Sequence, residues 1–247
     1  MITRRTVFLT AFLVLSTAFA EAPAPLAHWK LAEGEGQVIA DQGPESWGGK
    51  IVHSENTSWG QGRGSAKALF FLNHPQRKAG AVVITPGESF EYGKGFSVSC
   101  WIQASTETQR EKTYEIISLA DVDKGPGFRL VYAWNSLMFY GGDGKQAHRV
   151  KSTPSKHPIE RGVWNHVAAT FDGQQAKIYL NGQLVGASPE GKLFVLLPAA
   201  TKELSIGSYH AGYAYGFLGA IADVKLFGRA LTPVEMMAEA KSLQLGE

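Results

Sequence analysis

Residues 163–188, VWNHVAATFDGQQAKIYLNGQLVGAS, constrain the fold more than any other stretch of this chain. They hold three short apolar strands joined by Asp172-Gly173 and Asn181-Gly182. Both dipeptides accept positive φ and favour tight primed turns whose twist matches that of the strands they connect. Successive hairpins of this kind build an antiparallel sheet, and the same grammar recurs along the chain. FSVSCWIQ at 96–103 alternates with period two, which sets Phe96, Val98, Cys100 and Ile102 against the core and turns Ser97, Ser99, Trp101 and Gln103 to the opposite face. Cys100 then reads as a small buried hydrophobe, because a reactive thiol needs a cationic, accessible setting. FRLVYAW at 128–134 and LMFYGG at 137–142 form another hairpin meeting at Asn135-Ser136. Helical periodicity is nearly absent, and turn residues recur every ten residues or so among 28 glycines, as in an all-β chain.

The two ends depart from this pattern. At the C-terminus Thr232, Pro233 and Glu235 occupy the positions of an N-cap, a first-turn proline and a capping-box acid, which predicts a short helix over 233–243. At the N-terminus, MITRR leads into an apolar run from Val7 to Phe19, and Ala18-Phe19-Ala20 offers the small residues a signal peptidase accepts. A signal peptide over residues 1–20 and one domain over 21–247 are the expected organisation. The protein is then secreted, periplasmic or held at the cell surface, exported by the general route or, given Arg4-Arg5, a twin-arginine one. The apolar run is short for a membrane span, and nothing downstream resembles a second, so no integral membrane segment is expected after cleavage. Removing the leader takes away Arg4 and Arg5 and lowers the formal net charge from +2 to 0, which leaves no long-range attraction to nucleic acid. One cysteine permits no internal disulfide, so stability rests on the apolar core.

Four segments in order carry a family resemblance: HWKLAEGEGQVIADQGPESWGGKI at 28–51, FSVSCWIQ, GVWNHVAATFDGQQAKIYLNGQLV at 162–185 and GAIADVKLFGRALTPVEM at 219–236. Together they resemble the laminin-G-like, concanavalin A-like jelly-roll domains of bacteria. The resemblance runs from His28 to about Ala240. It implies an all-β sandwich of two antiparallel sheets with the first and last strands adjacent, and a short C-terminal helix. Function is less constrained, since lectins, adhesion domains, glycoside hydrolases and polysaccharide lyases share this architecture.

The residues for cleavage are hard to find. A retaining glycosidase needs two carboxyl groups about 5–5.5 Å apart, and no E-x-D-x-x-E string presents them on a strand. Glu115 and Asp121, flanking IISLA, suit strand ends better than a catalytic pair. A lyase would use a Tyr or His base beside a cation, for which Tyr132, Tyr140, Arg129 and Arg149 are available without forming a motif. His166 in WNHVAATF fits the fold-defining Trp-x-His pattern and is expected to be a hydrogen-bonded structural histidine. The resemblance also implies calcium, held by loop carbonyls and an acid within Gly-x-Ile-Asp-x-Val. Here Ala222 stands at the acid's position, period two sends Asp223 to the other face, and Asp41 alone is a poor cage for a hard cation. No cofactor is expected, with calcium disfavoured and Asp41 its one candidate ligand, or else an Asx-turn residue.

Sugar rings present apolar faces that pair with aromatic platforms and a few polar groups. The loop GSYHAGYAYGF at 207–217 supplies Tyr209, His210, Tyr213 and Tyr215, and the 128–142 hairpin supplies Tyr132, Trp134 and Tyr140. The sequence therefore points to a non-catalytic binding or adhesion module. Its expected ligand is an extracellular glycan bound through Tyr209, His210, Tyr213, Tyr215, Trp134 and Tyr132. A surface protein is the alternative partner, and a glycosidase or lyase the less favoured reading.

Overall fold

The computed structural model describes residues 23–73, 78–88, 90–121 and 125–242; the expected leader lies outside them. Two eight-stranded antiparallel sheets pack face to face. The first runs β14 (Gln183–Ala187), β13 (Ala176–Leu180), β12 (Asn165–Phe171), β7 (Phe96–Ala104), β16 (Leu218–Phe227), β5 (Lys67–Leu72) and β4 (Thr57–Gln61), with β1 (Ala27–Trp29) also on β16. The second runs β11 (Ala147–Lys151), β10 (Ser136–Gly142), β9 (Gly127–Ala133), β8 (Thr113–Ala120), β15 (Leu204–Ile206), β6 (Ala81–Ile84), β3 (Gly49–Val52) and β2 (Val38–Ile39). The first and last strands are neighbours, with Ala27 opposite Leu226. This is the jelly-roll sandwich that the alternation and the resemblance both called for.

The core lies between the sheets. Phe96, Val98, Cys100 and Ile102 of β7 all face it and are fully buried, as are Phe128 and Leu130 of β9. Phe96 and Phe128 meet across the sheets with ring centroids 4.5 Å apart, and Phe139, Phe171 and Phe194 extend the cluster. Each such ring contributes roughly 1.5–3 kcal/mol by leaving water. Burial pushes the Cys100 thiol far above its usual range, so it stays protonated and acts as a hydrophobe.

The local turn and cap signals are realised in part. Asn181 and Gly182, both at positive φ, form the predicted two-residue turn between β13 and β14. Asp172-Gly173 instead opens a four-residue loop, because the Asp172 carboxylate accepts the backbone N–H of Gln174 and Gln175 and stabilises a wider turn. The β9–β10 turn consists of Trp134 and Asn135, one residue earlier than expected, and both have positive φ. Helix α1 (Pro233–Lys241) ends two residues short of the prediction, but its capping box between Thr232 and Glu235 is complete.

One irregularity matters for the surface. The pairing of β16 with β7 shifts between Ala222 and Lys225, and Asp223 sits there at φ 55. This bulge cancels the period-two argument. Ala222 packs with Ala68 and Ala220 on the outer face, and Asp223 joins it there instead of turning to the opposite face, meeting His28 and Lys225.

Candidate functional site

Because Phe128, Leu130 and Tyr132 of β9 point into the core, Arg129, Val131 and Ala133 point outward. The strand register extends the outward set sideways. Ser118 lies opposite Arg129, Arg129 opposite Tyr140, and Tyr140 opposite Arg149, which makes one row across β8, β9, β10 and β11. Three of the four residues that composition offered to a lyase, Arg129, Tyr140 and Arg149, therefore do converge. Tyr132 does not; it is 2% exposed, stacks on Tyr114 inside the core and donates its hydroxyl to Asn135, so it leaves the set of ligand-binding candidates.

Arg129 is anchored from below. The Glu115 carboxylate, wholly buried, accepts from its Nε at 3.0 and 3.1 Å and from its Nη2 at 2.6 Å. A bulge in β8 between Glu115 and Ile117 turns Glu115 outward while Ile116 and Ile117 both stay in the core. Burial alone would weaken the guanidinium's hold on its proton, but the charge of Glu115 outweighs it and raises the Arg129 pKa. Glu115 is therefore not the strand-end acid expected, and its buried fork depends on the bulge, which no local signal announces.

The tyrosine loop closes over this pair. Its ends are tied by Phe217 N–H to the Gly207 carbonyl, its middle by Tyr209 N–H to Ala214 and Gly212 N–H to the Ser208 hydroxyl. Glu115 N–H donates to the Tyr215 carbonyl at 2.6 Å, and the Tyr209 hydroxyl donates to the Asp121 carbonyl at 2.6 Å. The Arg129 guanidinium lies 4.3 Å from the Tyr209 ring centre, 5.2 Å from Tyr215 and 5.7 Å from Tyr140. The loop is thus a built structure. Tyr209, 4% exposed, is part of its frame, whereas Tyr213 and Tyr215 are 63% and 49% exposed. His210, partly exposed, faces both Tyr209 and Tyr213.

Strain marks the same surface. His210, Ala211 and Tyr215 in the loop and Trp134 at the hairpin tip all hold positive φ without being glycine. Such conformations cost of order 1–2 kcal/mol per residue. Trp134 is 55% exposed, so packing of its side chain does not compensate. Exposed aromatics kept in costly backbone positions are a signature of recognition surfaces rather than of cores.

The first sheet's outer face is built differently. Helix α1 covers part of it, with Met236 packed on Ala168, Tyr179 and Phe227. Lys225 joins Glu239 of the helix at 2.7 Å and lies 3.7 Å from Asp223, which hydrogen-bonds His28. Burial works against the Asp223 charge, but His28 and Lys225 prevail and hold its carboxyl below the usual range. His166 is buried beside Trp101, and burial lowers its pKa to about 3. It is not the hydrogen-bonded histidine expected, since neither ring nitrogen meets a partner among the described residues. Trp101 is buried between His166 and the Arg63 guanidinium, 3.5 Å from its ring centre.

Asp41 is an Asx-turn residue: one carboxylate oxygen accepts from His28 and Gly43 N–H and the other from Trp47 N–H. The Asp41 carboxylate is thus committed to three backbone N–H groups and one oxygen of Asp223 to His28, and the Ala222 side chain offers no oxygen. Among the described residues no group of three or more His, Cys, Asp or Glu side chains is arranged for a metal. Trp59 lies on β4, and its indole N–H donates to the Gly36 carbonyl. A cleft of about 610 Å³ opens near Phe90, Tyr92, Pro198 and Lys202. Its two aromatic rings are buried in the core and offer a ligand little surface. No helix among the described residues is long and apolar enough to cross a membrane.

A sandwich of two eight-stranded sheets with one helix at its edge and an aromatic, cationic outer face is the architecture of a jelly-roll domain. The chain belongs to the laminin G family described as the concanavalin A-like lectin/glucanases superfamily, whose family model matches residues 77–236. Among curated proteins, mouse pappalysin-1 is 30% identical over 99 residues, which is 39% of this chain and 6% of that protein. Similar solved structures include the binding domain of botulinum neurotoxin DC in complex with rat synaptotagmin II, with a TM-score of 0.67 and 17% identity over 90% of this chain and 52% of that one. The binding domain of Paraclostridial mosquitocidal protein 1 gives 0.66 and 14% over 89% and 52%. This chain spans about half the length of those domains, and at these identities the likeness is one of fold.

Proposed function

We propose that the protein is a non-catalytic binding module that recognises extracellular glycan on the outer face of its second sheet. The observation that carries this reading is the pair of exposed tyrosines, Tyr213 and Tyr215, held at a braced loop beside Arg129 and Tyr140. Flat rings with polar tips and a fixed guanidinium supply what a sugar needs: an apolar platform and directional donors. Export through the leader expected at residues 1–20 would bring this face to extracellular polysaccharides. Several of the similar structures are binding domains, one of them in complex with rat synaptotagmin II and another with SialylT, which agrees with a binding role without selecting the ligand.

Affinity gel electrophoresis of the full chain against a polysaccharide panel tests this. The wild type should be retarded by at least one polymer, and Tyr213→Ala or Tyr215→Ala should each weaken retention about 3- to 10-fold. Retention of none sinks the reading, and recovery of shortened polymer from the gel would replace binding with cleavage.

A further inference from the structure

The charges around Arg129 narrow the ligand, on the premise that the face binds glycan at all. A guanidinium carries five N–H donors. Glu115 takes the Nε and one side of Nη2, and Nη1 makes no hydrogen bond among the described residues. The side chain is 22% exposed, and the Glu115 carboxylate occupies only one edge of the fork. Arg129 lines a cleft of about 40 Å³ together with Asp121, Tyr140 and Tyr209 and the small residues Gly127 and Ala147. Its floor is made of small residues: Gly127 lies opposite Ala120, with Gly141 and Ala147 beside them. Any side chain at Gly127 would strike the Leu119 carbonyl, 2.1 Å from its Cβ. At roughly 10–15 Å³ of such space per water the cleft holds about three waters, which is room for a carboxylate.

The surroundings are cationic. Arg149 stands next in the row beyond Tyr140, Lys151 is the following outward residue of β11, and Lys145 lies in the preceding turn; all three are exposed. The nearby acids among the described residues are engaged. Glu115 is paired, Asp121 accepts from Ala200 and Thr201 N–H, and Asp143 accepts from Lys145 and Gln146 N–H. Cations on an edge strand such as β11 also discourage strand pairing between molecules. That role, however, demands nothing of Arg129 or of the cleft beside it.

We propose that this face takes an acidic glycan by its sugar carboxylates. One carboxylate enters the small cleft and receives the open edge of Arg129, in the forked geometry that distinguishes arginine from lysine. Its neighbours along the polymer meet Arg149 and Lys151, and the sugar rings lie against Tyr140 and Tyr215.

The test compares retention of the full chain on polygalacturonate, on the same polymer with its carboxyl groups reduced, and on dextran sulfate. Polygalacturonate should be held at least about 10-fold more strongly than the reduced polymer, and Arg149→Gln should weaken it about 5-fold. Arg129→Lys keeps a cation against Glu115 but removes the fork, and should cost about 10-fold or more, with thermal unfolding followed in parallel. Lys241→Gln, an equal charge change at the end of α1, should change nothing. Equal retention of native and reduced polymer, with Tyr215→Ala still defective, would overturn the acidic-ligand inference while leaving the glycan reading intact. Dextran sulfate binding as tightly as polygalacturonate, with Arg129→Lys unaffected, would reduce the effect to unspecific charge and also overturn it. Should Arg129→Lys fail to fold, an unchanged Arg149→Gln is sufficient to reject the inference. Retention on none of the three removes both readings.

Discussion

The two outer faces of the sandwich both carry buried charge, and they use it in opposite ways. On the first sheet, His28, Asp223, Lys225 and Glu239 come from the first strand, the β16 bulge and the helix, and their contacts join those elements to one another. On the second sheet, Glu115 and Arg129 come from adjacent strands that backbone pairing already holds. Their ion pair joins nothing that would otherwise separate; it fixes one guanidinium with an edge turned outward beneath exposed tyrosines. A charge network that links distant segments is understood as architecture, whereas one that aims a donor at solvent calls for a ligand.

Four substitutions press on this contrast. The largest effect is expected from Lys225→Met, which leaves the buried Glu239 without its cation and should cost about 3–5 kcal/mol in urea unfolding. A cost below about 1 kcal/mol would deny the network its structural role. Next comes the histidine on the same face. Its folded pKa of about 3 lies below the ordinary value of 6.5, so below pH 6.5 the unfolded chain takes up a proton that the folded chain refuses. Stability should therefore fall as pH drops from 6.5 to about 3, by up to about 1.4 kcal/mol per unit. His166→Phe should flatten that slope by one proton, and an unaltered slope would mean that His166 is protonated in the fold.

On the second face the expectation reverses. Trp134→Asn relieves a left-handed tryptophan and should stabilise the protein by about 1 kcal/mol while weakening glycan retention. Loss of stability instead would show that the indole packs as core. The smallest effect belongs to the exposed helix cap. Arg229, with help from the Thr232 N–H, holds the Glu235 carboxyl down at about 2, so its contribution is intact above pH 4.5 and lost as pH falls towards 2. Glu235→Ala should cost about 1 kcal/mol at neutral pH and remove that acid-sensitive part.

These contrasts also explain what could be read from the chain alone. Alternation in FSVSCWIQ and the Asn181-Gly182 turn depend on neighbours in sequence, and both were legible, as was the Thr232-Pro233-Glu235 cap. Asp223 was misassigned because a bulge adds one residue and no local signal announces it. Glu115 was missed for the same reason, its orientation being set by the irregularity in β8. Tyr132 and Tyr140 look alike in composition, yet the pleat sends one into the core and the other to the surface, so the hairpin register decides which is available. The tyrosine loop was recognised from its aromatics, but the frame that makes it rigid comes from Asp121 and Glu115, residues about ninety positions away.

Amide hydrogen exchange of the full chain, with and without polygalacturonate, tests the division between the faces most directly. Added protection should map to β9, β10 and β11 and to the loop from Tyr209 to Tyr215, with α1 and the strand carrying His166 unchanged. Protection confined to the first sheet's outer face, around Trp101 and Arg63, would contradict the account.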